Sequence, residues 1–286
     1  MKFQVKMNMN YKRNRTQLYL ESLIGVKNPE QLKSKRQEFE NYALDDFDLL
    51  EINKILQEDA LDYYYSGIIS IADGISSLLD RKYSWATIKF YYGIFYLLRA
   101  TLGLNRYAIL QNSGVYILKI AKYEMPKKKN NRKYTTTHLA TINYYTDLFK
   151  SDDYLLSNQI NGKTTYQWML EAREIVNYKC RSFMEPGFLD IWRVIDTIKN
   201  KNDFESIFEN LITNPDLFCF QEEYAIMTIP IKRLIITTDL IQKLKLLDEI
   251  GALRKEYLKK ILNYEAADIN LHSVIFNDTS DGLFLL

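Results

Sequence analysis

Apolar residues along this chain recur mostly at spacings of three and four. From Asp48 to about Arg81 the series is Leu49, Ile52, Ile55, Leu56, Ala60, Tyr63, Tyr64, Gly67, Ile68, Ile71, Ile75 and Leu78. That is the period of one helix face, and it predicts a long helix. Tyr83-Ser84 is expected to break it, with Ser84 placed to cap the next helix. A second core helix is predicted from Trp85 to about Leu104. Ala86, Phe90, Gly93, Leu97, Ala100 and Leu104 make one stripe, and Trp85, Ile88, Tyr92, Phe95 and Leu102 make another. A helix apolar on two sides is expected to lie buried between others. Ala86, Gly93 and Ala100 stand seven apart and would let another backbone come close.

The pattern changes after residue 104. Tyr107 to Gln111, a short Asn112-Ser113-Gly114 turn, and Val115 to Ala121 predict a β-hairpin. Pro126 to Lys133 is a basic run with nothing apolar to bury, and is expected to be a loop. Helices are predicted from Thr137 to about Phe149 and from Thr164 to about Lys179, with a loop at 151–163 between them. Pro186-Gly187 should end the second of these. Residues 188–264 predict three or four more helices, with Ile226 to Leu247 the longest. Near the start, residues 1–28 are basic and mixed, and Asn28-Pro29-Glu30 reads as a helix start leading to a polar helix ending near Tyr42. The tail from Asp268 to Leu286 is expected to dock on the body.

Composition supports this reading. Only 10 Gly and 5 Pro occur in 286 residues, which favours long elements over many tight turns. Net charge is +2, so no global field gathers nucleic acid. Phosphate contact would have to be local, and Lys127, Lys128, Lys129, Arg132 and Lys133 form the one strong basic run. Cys180 and Cys219 show neither metal-ligand spacing nor a disulfide framework, as expected of a reducing compartment. The charged N-terminus does not read as a signal peptide. The longest uncharged stretch in the second core helix, Phe90 to Leu98, is about half of the roughly 20 residues a bilayer needs. A soluble cytoplasmic protein is expected, without membrane, metal or cofactor. No Gly-rich phosphate loop, nucleophile elbow or paired-Asp signature occurs.

Two segments carry a resemblance. Trp85-Ala-Thr-Ile-Lys-Phe-Tyr-Tyr-Gly-Ile-Phe-Tyr-Leu-Leu-Arg-Ala100 and Glu171-Ala-Arg-Glu-Ile-Val-Asn-Tyr-Lys179 are similar to the core of HEPN domains. This helical family contains metal-independent RNases and many defence and toxin proteins. The resemblance spans roughly residues 48–180. It implies an all-α, HEPN-like helical bundle carrying a small β-hairpin insertion and a helical C-terminal extension. The expected organisation is an N-terminal basic segment at 1–47, a HEPN-like domain at 48–187 with its insertion near 105–133, and an extension at 188–286, without a clear linker. The family motif is an Arg, a spacer of four to six residues, and a His. Here Arg173 is present, and Tyr178 stands where the His would fall.

The resemblance implies RNA cleavage by 2′-hydroxyl attack across a two-fold dimer, with Arg173, Asn177 and Tyr178 in the site. A guanidinium offers a fixed fork to phosphate oxygens. A phenol, ordinarily protonated at neutral pH, is a poor base but a usable donor. On a regular helix Asn177 shares a face with Arg173, whereas Tyr178 lies about 140° around. Tyr178 would join Arg173 only at a helix end or from a partner subunit. His138, just past the basic run, is a candidate substitute general acid or base. The alternative is that Arg173 pairs with acidic residues, His138 caps a helix and Tyr178 is core. Two functions follow. One is an RNase of a bacterial defence or toxin system, acting as a homodimer on RNA. The other is an inactive HEPN-like scaffold binding nucleic acid or a partner protein of the same system.

Overall fold

The computed structural model describes residues 14–27, 29–198, 201–264 and 269–276. Helix accounts for 69% and strand for 6%, so the chain is all-α with a small antiparallel insertion. It divides into two compact units. One combines residues 1–59 with 103–137, and the other combines 60–102 with 138–286.

The first unit contains α1 (Arg15–Leu23), α2 (Arg36–Asn41) and the start of α3 (Asp46–Leu79). A 3-10 turn at Pro29–Leu32 precedes α2, where a continuous helix was expected. Asn28, the expected cap, lies outside the described residues, as do Asp268 and residues 277–286 of the tail. Asn14 and the buried Asp59 carboxylate together satisfy the opening turn of α1. Asn14 accepts from the Gln17 amide, and Asp59 accepts from the amides of Arg15 and Thr16 at 3.0 and 2.8 Å.

The predicted hairpin forms as β1 (Tyr107–Gln111) and β2 (Val115–Lys119), with the register Gln111↔Val115. Its turn needs Ser113 at φ 50° and Gly114 at φ 149°, which explains the glycine. A short third strand, β3 (Lys127–Lys128), pairs with β2. The basic run is therefore partly sheet, because the β2 edge offers backbone partners that its side chains do not advertise. Leu20, Phe39, Ile52, Leu56, Leu110, Tyr116 and Leu118 form this unit's core.

The second unit is built on the rest of α3 and on α4 (Tyr83–Leu104). A Cβ added at Gly93 would stand 2.6 Å from Ile71 and 3.5 Å from the Gly67 carbonyl oxygen, so the expected close approach is real. The break between the two helices is made by Arg81 rather than Tyr83-Ser84. Arg81 takes φ 55°, and Lys82 N–H donates back to Ser77 at 2.8 Å, a left-handed helix ending. Ser84 does not cap α4 either. The Glu185 carboxylate accepts from the Ser84 amide and hydroxyl at 2.7 and 2.8 Å.

Around this pair lie α5 (Thr137–Phe149), α6 (Thr165–Glu174) and the C-terminal helices. Between α5 and α6 the chain is a 3-10 turn followed by a two-residue hairpin, β4 (Gln159–Ile160) with β5 (Lys163–Thr164). The C-terminal part contributes α7 (Arg193–Thr197), α8 (Lys201–Thr213), α9 (Pro215–Phe218), α10 (Glu222–Lys243) and α11 (Ala252–Leu262). A short pairing of β6 (Asn263–Tyr264) with β7 (Ile269–Asn270) and a final α12 (His272–Phe276) complete it. Trp192 is fully buried against Tyr83 and Phe90, and its indole donates to Thr87 at 2.9 Å. The extension is thus part of the second unit's core. None of the described helices is long and apolar enough to cross a membrane.

Candidate functional site

The site is assembled in the second unit from α4, α5 and the end of α6. After Glu174 the helix does not stay regular. Ile175–Lys179 form a π-turn, closed by Cys180 N–H donating to the Ile175 carbonyl at 2.9 Å. A π-turn takes an extra residue per loop, and such turns recur at functional positions. The wider turn reduces the angular step, so Tyr178 advances less than the roughly 140° a regular helix would give. Tyr178 consequently stacks on Arg173, with Cζ 4.9 Å from the ring centroid. The regular-helix expectation is corrected here. Tyr178 is the neighbour of Arg173, whereas Asn177 is half-buried and makes no hydrogen bond to it.

Arg173 is only 8% exposed, yet it has no carboxylate partner among the described residues. Its Nη2 donates weakly to Tyr92 Oη at 3.4 Å, and its buried Nε has no hydrogen-bond partner. The remaining neighbours are aromatic faces, with Tyr91 and Tyr92 at 5.6 and 5.8 Å. The alternative acidic pairing of Arg173 is not found among the described residues, and Glu171 is paired instead with Lys163 at 2.6 Å. Tyr178 is not core either, being 70% exposed.

His138 enters the same cluster. It is the second residue of α5, where its ring stacks on Phe95 at 4.3 Å and its Nδ1 is 2.8 Å from Tyr91 Oη. Burial lowers its pKa, and the charges of Arg173 and Arg99 lower it further, which favours the neutral ring. Burial pushes the Tyr91 phenol up, keeping it protonated. Arg99 lies 4.6 Å over the Tyr63 ring, and its Nη2 donates to the Tyr63 hydroxyl at 2.6 Å. The other histidine, His272, stacks on Phe276 in α12.

The basic run belongs to the first unit. Lys127 is ion-paired with Glu124 at 2.6 Å, and Lys129 lies 5.6 Å over the Tyr134 ring. Lys128 sits in β3, and Arg132 and Lys133 open an exposed 3-10 turn capped by Asn131.

A second arginine escaped the sequence reading. Arg233, on α10, is fully buried and bonds Asp153 at 3.0 Å, Tyr145 at 2.5 Å and Thr237 at 3.1 Å. Its signal was an Arg set inside the apolar run Ile229-Pro-Ile-Lys-Arg-Leu-Ile-Ile. Trp85 was also misplaced. Ile88, Phe95 and Leu102 of its expected stripe are buried, but Trp85 is 45% exposed because it sits in the first turn of α4 with Phe183 as its ring partner. Comparison of the chain with protein-family models, with curated proteins and with solved structures finds no match.

Proposed function

We propose that the second unit carries a HEPN-like RNA-processing site, acting as a metal-independent endoribonuclease of a bacterial defence or toxin system and working as a homodimer. The observation that carries this reading is the cluster's charge balance. A guanidinium without a carboxylate sits beside a neutral imidazole, which suits an incoming phosphate and a proton transfer. Arg173 would hold the phosphate oxygens. In the tautomer that donates Nδ1–H to Tyr91, His138 Nε2 accepts the proton of the attacking 2′-hydroxyl. The oxygen forms its bond to phosphorus as the bond to the 5′-oxygen breaks, and the Tyr178 hydroxyl supplies the leaving group's proton.

The test is incubation of the purified chain with single-stranded RNA, with and without chelator. Cleavage that survives chelator and is lost in Arg173→Ala and His138→Ala supports the reading. Intact RNA, or cleavage unchanged in both variants, removes it. One observation favours a non-catalytic scaffold that binds a partner protein or nucleic acid: the Tyr178 ring covers Arg173. Under that reading the wild-type chain and Tyr178→Ala both leave RNA uncut.

A further inference from the structure

We infer that the exposed Trp85–Phe183 pair is a base-stacking platform that selects single-stranded RNA for the Arg173 cluster. The inference rests on the RNA reading of that cluster. Trp85 and Phe183 are 45% and 43% exposed, and their rings meet edge to face at 5.0 Å. Large rings held in a fixed geometry with open faces present a stacking surface at little ordering cost.

Two stretches of chain connect this pair to the cluster. Along α4, Trp85 and Tyr92 are seven residues apart, hence on one stripe and separated by about 10 Å. On the other stretch, Phe183 follows Tyr178 by five residues. Trp85 meets Phe183, while Tyr92 and Tyr178 both flank Arg173. The two rungs are therefore an aromatic pair and an aromatic-flanked cation, about 10 Å apart. Beyond Tyr92 the α4 stripe continues through half-buried Tyr96 to Arg99. Alternating rings and cations suit a single strand, whose bases have free π-faces and whose backbone is anionic. A duplex hides those faces.

The chain reports this directly. It has three tryptophans, and Trp168 and Trp192 are buried, so Trp85 is the one a ligand reaches. The probe is a six-nucleotide 2′-O-methyl oligoadenylate, which cannot be cleaved by 2′-attack, titrated into the full chain while fluorescence is read. Saturable quenching by the single strand, absent with the matching duplex, is expected. Trp85→Ala with Phe183→Ala should weaken binding of the same oligomer, followed by anisotropy, roughly ten- to a hundredfold. Equal quenching by duplex, or unchanged affinity in the double variant, overturns the platform. So does loss of self-association in that variant with RNA affinity intact, which makes the face a protein contact. Specific quenching without any RNA cleavage upholds the platform and removes the nuclease. Cleavage lost in Arg173→Ala but indifferent to Trp85 and Phe183 does the reverse.

Discussion

Among the described residues the second unit buries two arginines, and they are treated in opposite ways. Arg233 is wholly buried, and the protein surrounds it with a carboxylate, two phenols and a threonine. Burial raises the pKa of both Tyr145 and Tyr166, so the phenols remain protonated beside it. Arg173 is nearly as buried, and receives tyrosine faces and one long hydrogen bond. A buried charge paired with a carboxylate holds helices in place, here α10 against α5, α6 and the turn bearing Asp153, even though Nη2 of Arg233 has no hydrogen-bond partner. A buried charge left without an anion keeps donor capacity for a ligand. The contrast is between a buried arginine held by an ion pair and one held by aromatic faces.

The largest expected effect lies at the paired centre. Asp153→Asn should destabilise the chain by about 3–5 kcal/mol, because it leaves Arg233 buried without its counter-charge. Urea denaturation followed by circular dichroism measures it. Arg173→Met should lose far less, having no ion pair to break, and equal losses at both sites would erase the distinction. Next in size is the effect on the proposed nuclease activity: under that proposal Arg173→Ala slows RNA cleavage about a hundredfold or more, as for removal of one charge-stabilising donor.

A smaller effect is a pH dependence through His138. Its folded pKa lies below the ordinary 6.5, so the unfolded chain binds the proton more readily. Stability from this group should therefore be present above pH 6.5 and decline as pH falls, levelling below the folded pKa. Melting curves of wild type and His138→Phe between pH 5 and 7.5 should converge at the upper end. Identical slopes throughout would show that neither burial nor the two arginines lowers the pKa of this ring. The smallest effect is Tyr178→Ala, about 0.5–1 kcal/mol for one exposed cation–π contact.

Much of the fold was legible because it is written in local period. The extents of α3, α4 and α5, the hairpin of β1 with β2, and the small residues at the α3–α4 contact follow from spacing and turn chemistry alone. Helix ends were less legible. Arg81 closes α3, and a distant glutamate opens α4, because end groups accept any donor or acceptor that the fold brings near. Ser84, a good cap by type, sits inside the first turn instead.

For the candidate site, the HEPN resemblance supplied Arg173, Asn177 and Tyr178, with His138 as a candidate substitute, and a regular helix was expected to turn Tyr178 away from Arg173 unless it ended there. Tertiary structure decided that Arg173, Tyr178 and His138 are neighbours. The π-turn re-aims Tyr178 by changing the angular step of five residues, a change no apolar pattern records. Packing of α5 on α4 brings His138 to Tyr91, 47 positions earlier in the chain. Tertiary structure also left Trp85 uncovered and enclosed Arg233. Sequence by itself determined which segments are helices and which residues can carry charge or stack, since both follow from local chemistry. Which charges are paired and which rings stay open depends on long-range packing, and only the folded chain settles it.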